Sequence, residues 1–196
     1  MIWPYLLGIL TGVTTTIVGA YIVHFLAHNR WWKEYRLQKL EELYIAIENH
    51  QVAIAEYYTR TAAYLMEPED AEGLENQKET LRTVYITAFQ EDEKKAAVIP
   101  MLINIYFKGL LPAWQNIECA TQKLDKESQK GIMLDKAKRE GLGREKREAI
   151  CKSAGLAIIR EHLPGLESLK NEICTKIVQI ADDIGGAKPW PFKALD

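Results

Sequence analysis

The sequence predicts an all-α protein: a single N-terminal transmembrane helix over residues 1–28, continuing into a long helix and a cytosolic helical domain over 29–186, with a short tail over 187–196. Three observations carry this. The stretch from Ile2 to Val23 holds no charge, and at 1.5 Å per residue it reaches roughly 33 Å as a helix, about one hydrocarbon core. Between Gly19 and Pro68 there is neither glycine nor proline, and Leu37, Leu40, Tyr44, Ile47, Gln51, Ile54, Tyr58, Thr61 and Leu65 recur in steps of three and four, the period of a helix or a coiled coil. Near the other end, Leu166, Leu169, Ile173, Ile177, Ile180 and Ile184 draw an amphipathic stripe.

The first stretch reads as an anchor rather than a cleaved leader. No Lys or Arg precedes Arg30, and the apolar run continues past Val18-Gly19-Ala20, whereas a signal peptide opens on a basic segment and closes on its cleavage site. Trp3 and Tyr5 flank the span on one side, and Tyr21, Trp31, Trp32 and Tyr35 on the other, as headgroup-level aromatic belts do. The cations Arg30, Lys33, Arg36 and Lys39 all follow it, so the positive-inside rule puts the N-terminus outside and the remainder in the cytoplasm. Trp3, Arg30, Trp31, Trp32 and Lys33 are the expected membrane-interface residues.

Within the span, Gly8, Gly12, Thr16 and Ala20 fall at every fourth position, with Thr11, Thr15 and Gly19 in a row beside them. Residues so spaced share one side of a helix, and small residues there let two backbones approach closely in lipid. The expectation is self-association through this face, with the Thr hydroxyls lining a polar path if several copies form a ring. His24 and His28 continue the Gly8 row; a pair at i and i+4 suits a shared metal, but interfacial side chains are the simpler reading and no metal site is expected.

The long helix is expected to run unbroken to Met66, with a hinge near Asn29 as the alternative. Glu67-Pro68-Glu69-Asp70 then ends it and opens another, since proline and acidic residues suit a first turn. Leu74, Leu81, Val84, Tyr85 and Ala88 keep helical spacing; Arg82 to Phe89 is rich in β-formers but lacks strict alternation. Ala96 to Leu111 is apolar in short pieces, which favours a core helix over a second span. Leu110-Leu111-Pro112 marks a kink or turn before a helix carrying Trp114, Ile117, Thr121 and Leu124. Lys126 to Gly143, punctuated by Gly131, Gly141 and Gly143, is expected to be an exposed connection. Arg144 to Leu163 returns to helix until Pro164-Gly165 stops it, and Gly185-Gly186 ends the last one.

A net charge of -2 hides an uneven distribution. Acidic residues crowd Glu67 to Glu93, whereas Lys123, Lys126, Lys130, Lys136, Lys138, Arg139, Arg144, Lys146 and Arg147 make the following region basic. Cations near glycine-rich backbone can hold phosphates, so Lys136, Lys138, Arg139, Arg144, Lys146 and Arg147 are candidate contacts for a nucleotide, an oligonucleotide or anionic lipid; a solvated loop is the plainer reading. Cys119, Cys151 and Cys174 are far apart and odd in number, as in a reducing compartment where thiols serve as small core residues. There is no Gly-x-Ser-x-Gly, no His-Glu-x-x-His and no complete phosphate loop or dinucleotide fingerprint. The expectation is a protein that is not an enzyme and takes no cofactor.

The segment Arg36-Leu37-Gln38-Lys39-Leu40-Glu41-Glu42-Leu43-Tyr44, directly after a single span, resembles that of many small bacterial membrane proteins. The whole layout resembles membrane effectors of bacterial antiphage systems, in which a span and a small cytosolic domain oligomerise and damage the membrane. That resemblance implies a homo-oligomeric channel or pore in the cell inner membrane, its cytosolic part gated by a ligand or partner. Two other readings stand beside it: a non-conducting membrane-tethered scaffold that recruits a protein partner, and a nucleotide or nucleic-acid sensor working through the basic stretch.

Overall fold

The computed structural model describes residues 3–67, 79–81, 83, 97–137 and 143–185, with side chains from Thr14 onward except those of 130–137. All regular structure among them is helical. The first helix, α1, is continuous from Trp3 to Met66, 64 residues, or roughly 96 Å. With no glycine or proline after Gly19 to interrupt the hydrogen-bond ladder, no hinge forms at Asn29. The segment carrying Leu74, Val84, Tyr85 and Ala88 lies outside the described residues, as do Lys138, Arg139 and the tail.

The bundle wraps the second half of α1. Helix α2, Val98–Tyr106, reaches the level of Tyr35, whose hydroxyl is 2.9 Å from that of Tyr106. A single 3-10 turn, Lys108–Leu110, reverses the chain, and α3, Leu111–Ala137, climbs beside α1 in the same direction. His50 meets Trp114 and Tyr58 bonds Asp125 along that seam. Pro112 sits in the first turn of α3, where its missing N–H is unneeded.

Two of the expected boundaries fall elsewhere. Residues 126–137 continue α3 rather than forming a loop, because a solitary glycine, Gly131, costs about 1 kcal/mol against alanine and its helix-forming neighbours outweigh it. Pro164 does not stop its helix either. Helix α4, Arg144–Ala157, passes through a wide turn at Ile158–His162 straight into α5, Leu163–Gly185. A proline ring collides with the carbonyl four residues back in a regular helix. Here Leu163 N–H bonds instead to the carbonyl of Ile158, five residues back, and the extra residue in the turn lets the helix pass Pro164.

The α4–α5 rod runs antiparallel to α1. Gly155 packs on Ala62 and Met66, Lys170 and Cys174 reach Glu48, and Gly185 lies beside Leu37. Gly155 is required by that approach: a Cβ there would lie 2.9 Å from the Ala62 carbonyl oxygen and 2.8 Å from Met66 Cγ. The core between these rods contains Leu40, Leu43, Ile47, Ile54, Tyr58, Ala62 and Leu65 from α1, facing Leu166, Ile173, Ile177, Ala181 and Ile184. Ile99, Leu102, Ile103, Leu110, Trp114, Ile117 and Leu124 close the other side.

Candidate functional site

Every described side chain from Thr14 to Glu34 is exposed, and the first fully buried one is Leu40. The exposed set includes Ile17, Val18, Tyr21, Ile22, Val23, Phe25 and Leu26, with Tyr21 at 70 % and Val23 at 68 %. These residues occupy all sides of the helix. A helix apolar all round finds its low-energy state inside another apolar medium, since contiguous apolar surface of this extent costs about 25 cal/mol per Å² in water.

Below this segment stands an aromatic collar. His24 and His28 rings lie 6.4 Å apart, His28 and Trp31 6.2 Å, Trp31 and Tyr35 5.5 Å, and Trp32 and Tyr35 5.7 Å. Tyr35 meets Tyr106 edge-on at 5.9 Å, which ties the collar to α2. Lys39 Nζ lies 5.7 Å over the Tyr35 ring and 2.7 Å from a Glu42 carboxylate oxygen; the hydrogen bond to Glu42 raises its pKa. The Tyr106 phenol is raised as well, first by its bond to Tyr35. Arg30 and Glu34 pair at 2.9 Å on the surface, and Arg30, Trp31, Trp32 and Lys33 are all exposed. Charge therefore begins at the ring of tryptophans.

Of the expected small-residue face, Thr15, Thr16, Gly19 and Ala20 are exposed on α1. Gly8, Thr11 and Gly12 belong to the same helix, but their side-chain environment and that of Trp3 lie outside the description. A Cβ added at Gly19 would meet nothing within 4 Å, so no contact among the described residues asks for glycine there.

Lys136 is on α3 with its side chain undescribed, Lys138 and Arg139 lie outside the described residues, and Arg144, Lys146 and Arg147 fall in the first turns of α4. Arg144 Nε donates to Glu148 at 2.9 Å, and Lys146 is exposed.

The bundle interior offers two further polar arrangements. Cys174 Sγ lies 3.6 Å from Glu48 Oε1, while Lys170 Nζ is 3.4 Å from Glu48 Oε2. Burial, then the neighbouring carboxylate, pushes the Cys174 thiol up to about 12, so it stays protonated and inert. Cys119, by contrast, is exposed rather than a core residue. The second arrangement concerns the polar members of the α1 seam. Thr61 donates to the Tyr57 carbonyl at 2.9 Å, but Gln51 Nε2 is buried with no hydrogen-bond partner, an orphaned amide that costs about 1–3 kcal/mol. Sequence spacing marked both residues; only the tertiary structure separates the satisfied one from the orphan. Among the described residues no group of three or more His, Cys, Asp or Glu is placed to hold a metal.

Among the described residues no helix is long and apolar enough to cross a membrane; the side chains of Ile2 to Val13, the first half of the uncharged run, are outside that set. Comparison with known proteins yields no match to a family model, a curated protein or a solved structure.

Proposed function

We propose that this chain is a homo-oligomeric single-pass membrane protein whose N-terminal part of α1 lies in the bilayer, and whose helical bundle controls a channel or pore formed by several copies. The observation that carries the reading is the complete exposure of the uncharged, mostly apolar stretch of α1 from Thr14 to Leu26, in a chain whose bundle helices pack their apolar residues into a core. Continuity of α1 supports it further. With no hinge between the exposed half and the bundle, a tilt or rotation of the bundle is transmitted directly to the membrane-facing half.

Assembly runs through the face of Gly8, Gly12, Thr16 and Ala20, with Thr11, Thr15 and Gly19 beside it. A glycine in a helix costs about 1 kcal/mol against alanine; Gly19 recovers nothing for this among the described residues, which favours a neighbour outside the chain. The collar of Trp31, Trp32 and Tyr35 sits at headgroup level, and Arg30 and Lys33 face the cytoplasmic surface of the inner membrane. The layout resembles that of membrane effectors in bacterial antiphage systems.

The test is ion flux from purified full-length protein in liposomes. Flux that disappears with Gly12→Ile, together with the large oligomer, fits the channel. A membrane-retained oligomer that passes no ions under any bundle perturbation identifies a scaffold instead.

A further inference from the structure

We propose that the groove between α1 and the α4–α5 rod is where the bundle of a second copy of this chain packs, so that the contact between copies runs on from the span into the bundle. The groove has a free volume of about 380 Å³, with Val52, Ala55 and Thr59 on the α1 wall and Ile159, Leu163 and Pro164 on the other. Val52 is 64 % exposed and Ile159 38 %. Aliphatic surface shared by both walls of one open groove marks an interaction site rather than scattered exposure.

The occupant follows from α1 itself. Thr16 and Val52 are 36 residues apart, as are Gly19 and Ala55, roughly ten turns of a helix with about 3.6 residues per turn. Because α1 is one helix from Trp3 to Met66, each pair lies on the same side of it. This step rests on the reading above that Thr16 and Gly19 belong to the face between copies. Copies inserted the same way up in one bilayer are related by an axis along the membrane normal. The side of α1 that meets a neighbour at Thr16 then brings Val52 and Ala55 toward that neighbour below the membrane. Charge fits a like partner as well, since a surface that meets its own copy cannot carry a net charge without placing like charges together. The charged residues lining the groove, Glu167 and Lys170, cancel, and Glu56, next to Ala55, is paired with Arg60 at 2.8 Å. A polyanion or a basic peptide finds no unbalanced field there.

The test uses the full chain in native membranes, with Cys119, Cys151 and Cys174 replaced by alanine and a short bismaleimide as the crosslinker. Val52→Cys should yield crosslinked dimer about tenfold faster than Asn104→Cys. Asn104 is exposed on α2, which docks on α1 at Tyr35, roughly 160° round the helix from Gly19. Ile159→Glu, at an exposed position on the facing wall, leaves the bundle folded and should slow crosslinking at Val52 about fivefold, by placing like charges between the copies. Thr16→Cys, measured alongside, separates the groove contact from the span contact. Dimer at Thr16 with none at Val52 overturns the groove contact and leaves the span contact standing, whereas dimer at Val52 with none at Thr16 supports the groove contact alone. Equal rates at Val52 and Asn104, or a rate at Val52 untouched by Ile159→Glu, overturn the proposal.

Discussion

One helix, two surroundings: from Leu40 to Leu65, α1 buries a residue at nearly every third or fourth position, while from Thr14 to Glu34 it buries none. The two halves share a backbone and differ in side-chain arrangement. In the lower half, polar residues such as Glu41, Glu42, Glu48 and Asn49 fall between Leu40, Leu43, Ile47 and Ile54, which selects a bundle face. In the upper half apolar residues surround the axis, and no described side chain from Thr14 to Glu34 is covered by the bundle. The same regular helix is drawn into a protein core where an apolar stripe selects one face, and stands clear of the bundle where apolar residues surround it.

The largest effect is expected from breaking the upper half. A single Arg at Ile17 costs about 2.5–3.5 kcal/mol if that residue sits near mid-membrane, so Ile17→Arg should move most of the protein out of the carbonate-resistant membrane fraction. An unchanged fraction argues that this segment is not in lipid. A comparable loss, but of folding rather than location, is expected in the lower half: Ile47→Ala should cost about 2–5 kcal/mol at a fully buried site. Two residues away, Ile45 is 46 % exposed, and Ile45→Ala should stay within about 0.5 kcal/mol. Chemical denaturation of the two variants side by side measures the contrast.

A smaller effect separates the glycines of the two regions. Gly155→Ala forces a methyl against the Ala62 carbonyl and should destabilise by about 1–3 kcal/mol. Gly19→Ala meets nothing among the described residues, so any loss it causes should appear in oligomer size and leave the melting of the bundle unchanged. The smallest is the pH response of the core. Because folding raises the Cys174 thiol from 9.0 to about 12, its contribution is fully present below pH 9 and is lost as the pH climbs toward 12. At pH 8, iodoacetamide should modify exposed Cys119 well before Cys174; equal rates would show that Cys174 is not shielded by the bundle in solution.

Much of this contrast is legible from residue spacing alone. The steps of three and four from Leu37 to Leu65 predict the buried seam, missing Leu43 and Ala62, which are buried as well. The absence of Gly and Pro after Gly19 foretells a helix continuous to Met66, and Pro112 correctly marks the start of α3. What spacing does not reveal depends on neighbours. Gly131 looks like a loop signal but is one weak residue among strong helix formers. Pro164 looks like a stop, yet a one-residue wide turn accommodates it. Gly155 carries no local signal, since its need for a bare Cα arises only when Ala62 and Met66 come close. Gln51 is visible as a polar interruption, but its orphaned amide and the groove beside it require both walls.

The most direct measurement of the central claim is disulfide crosslinking between copies in native membranes, in a chain whose Cys119, Cys151 and Cys174 are replaced by alanine. A cysteine at Thr16, on the small-residue face, should form crosslinked dimer at least about tenfold faster than one at Val18, on the opposite side of the same helix. Equal rates at the two positions, or no crosslinking at either, would contradict the account.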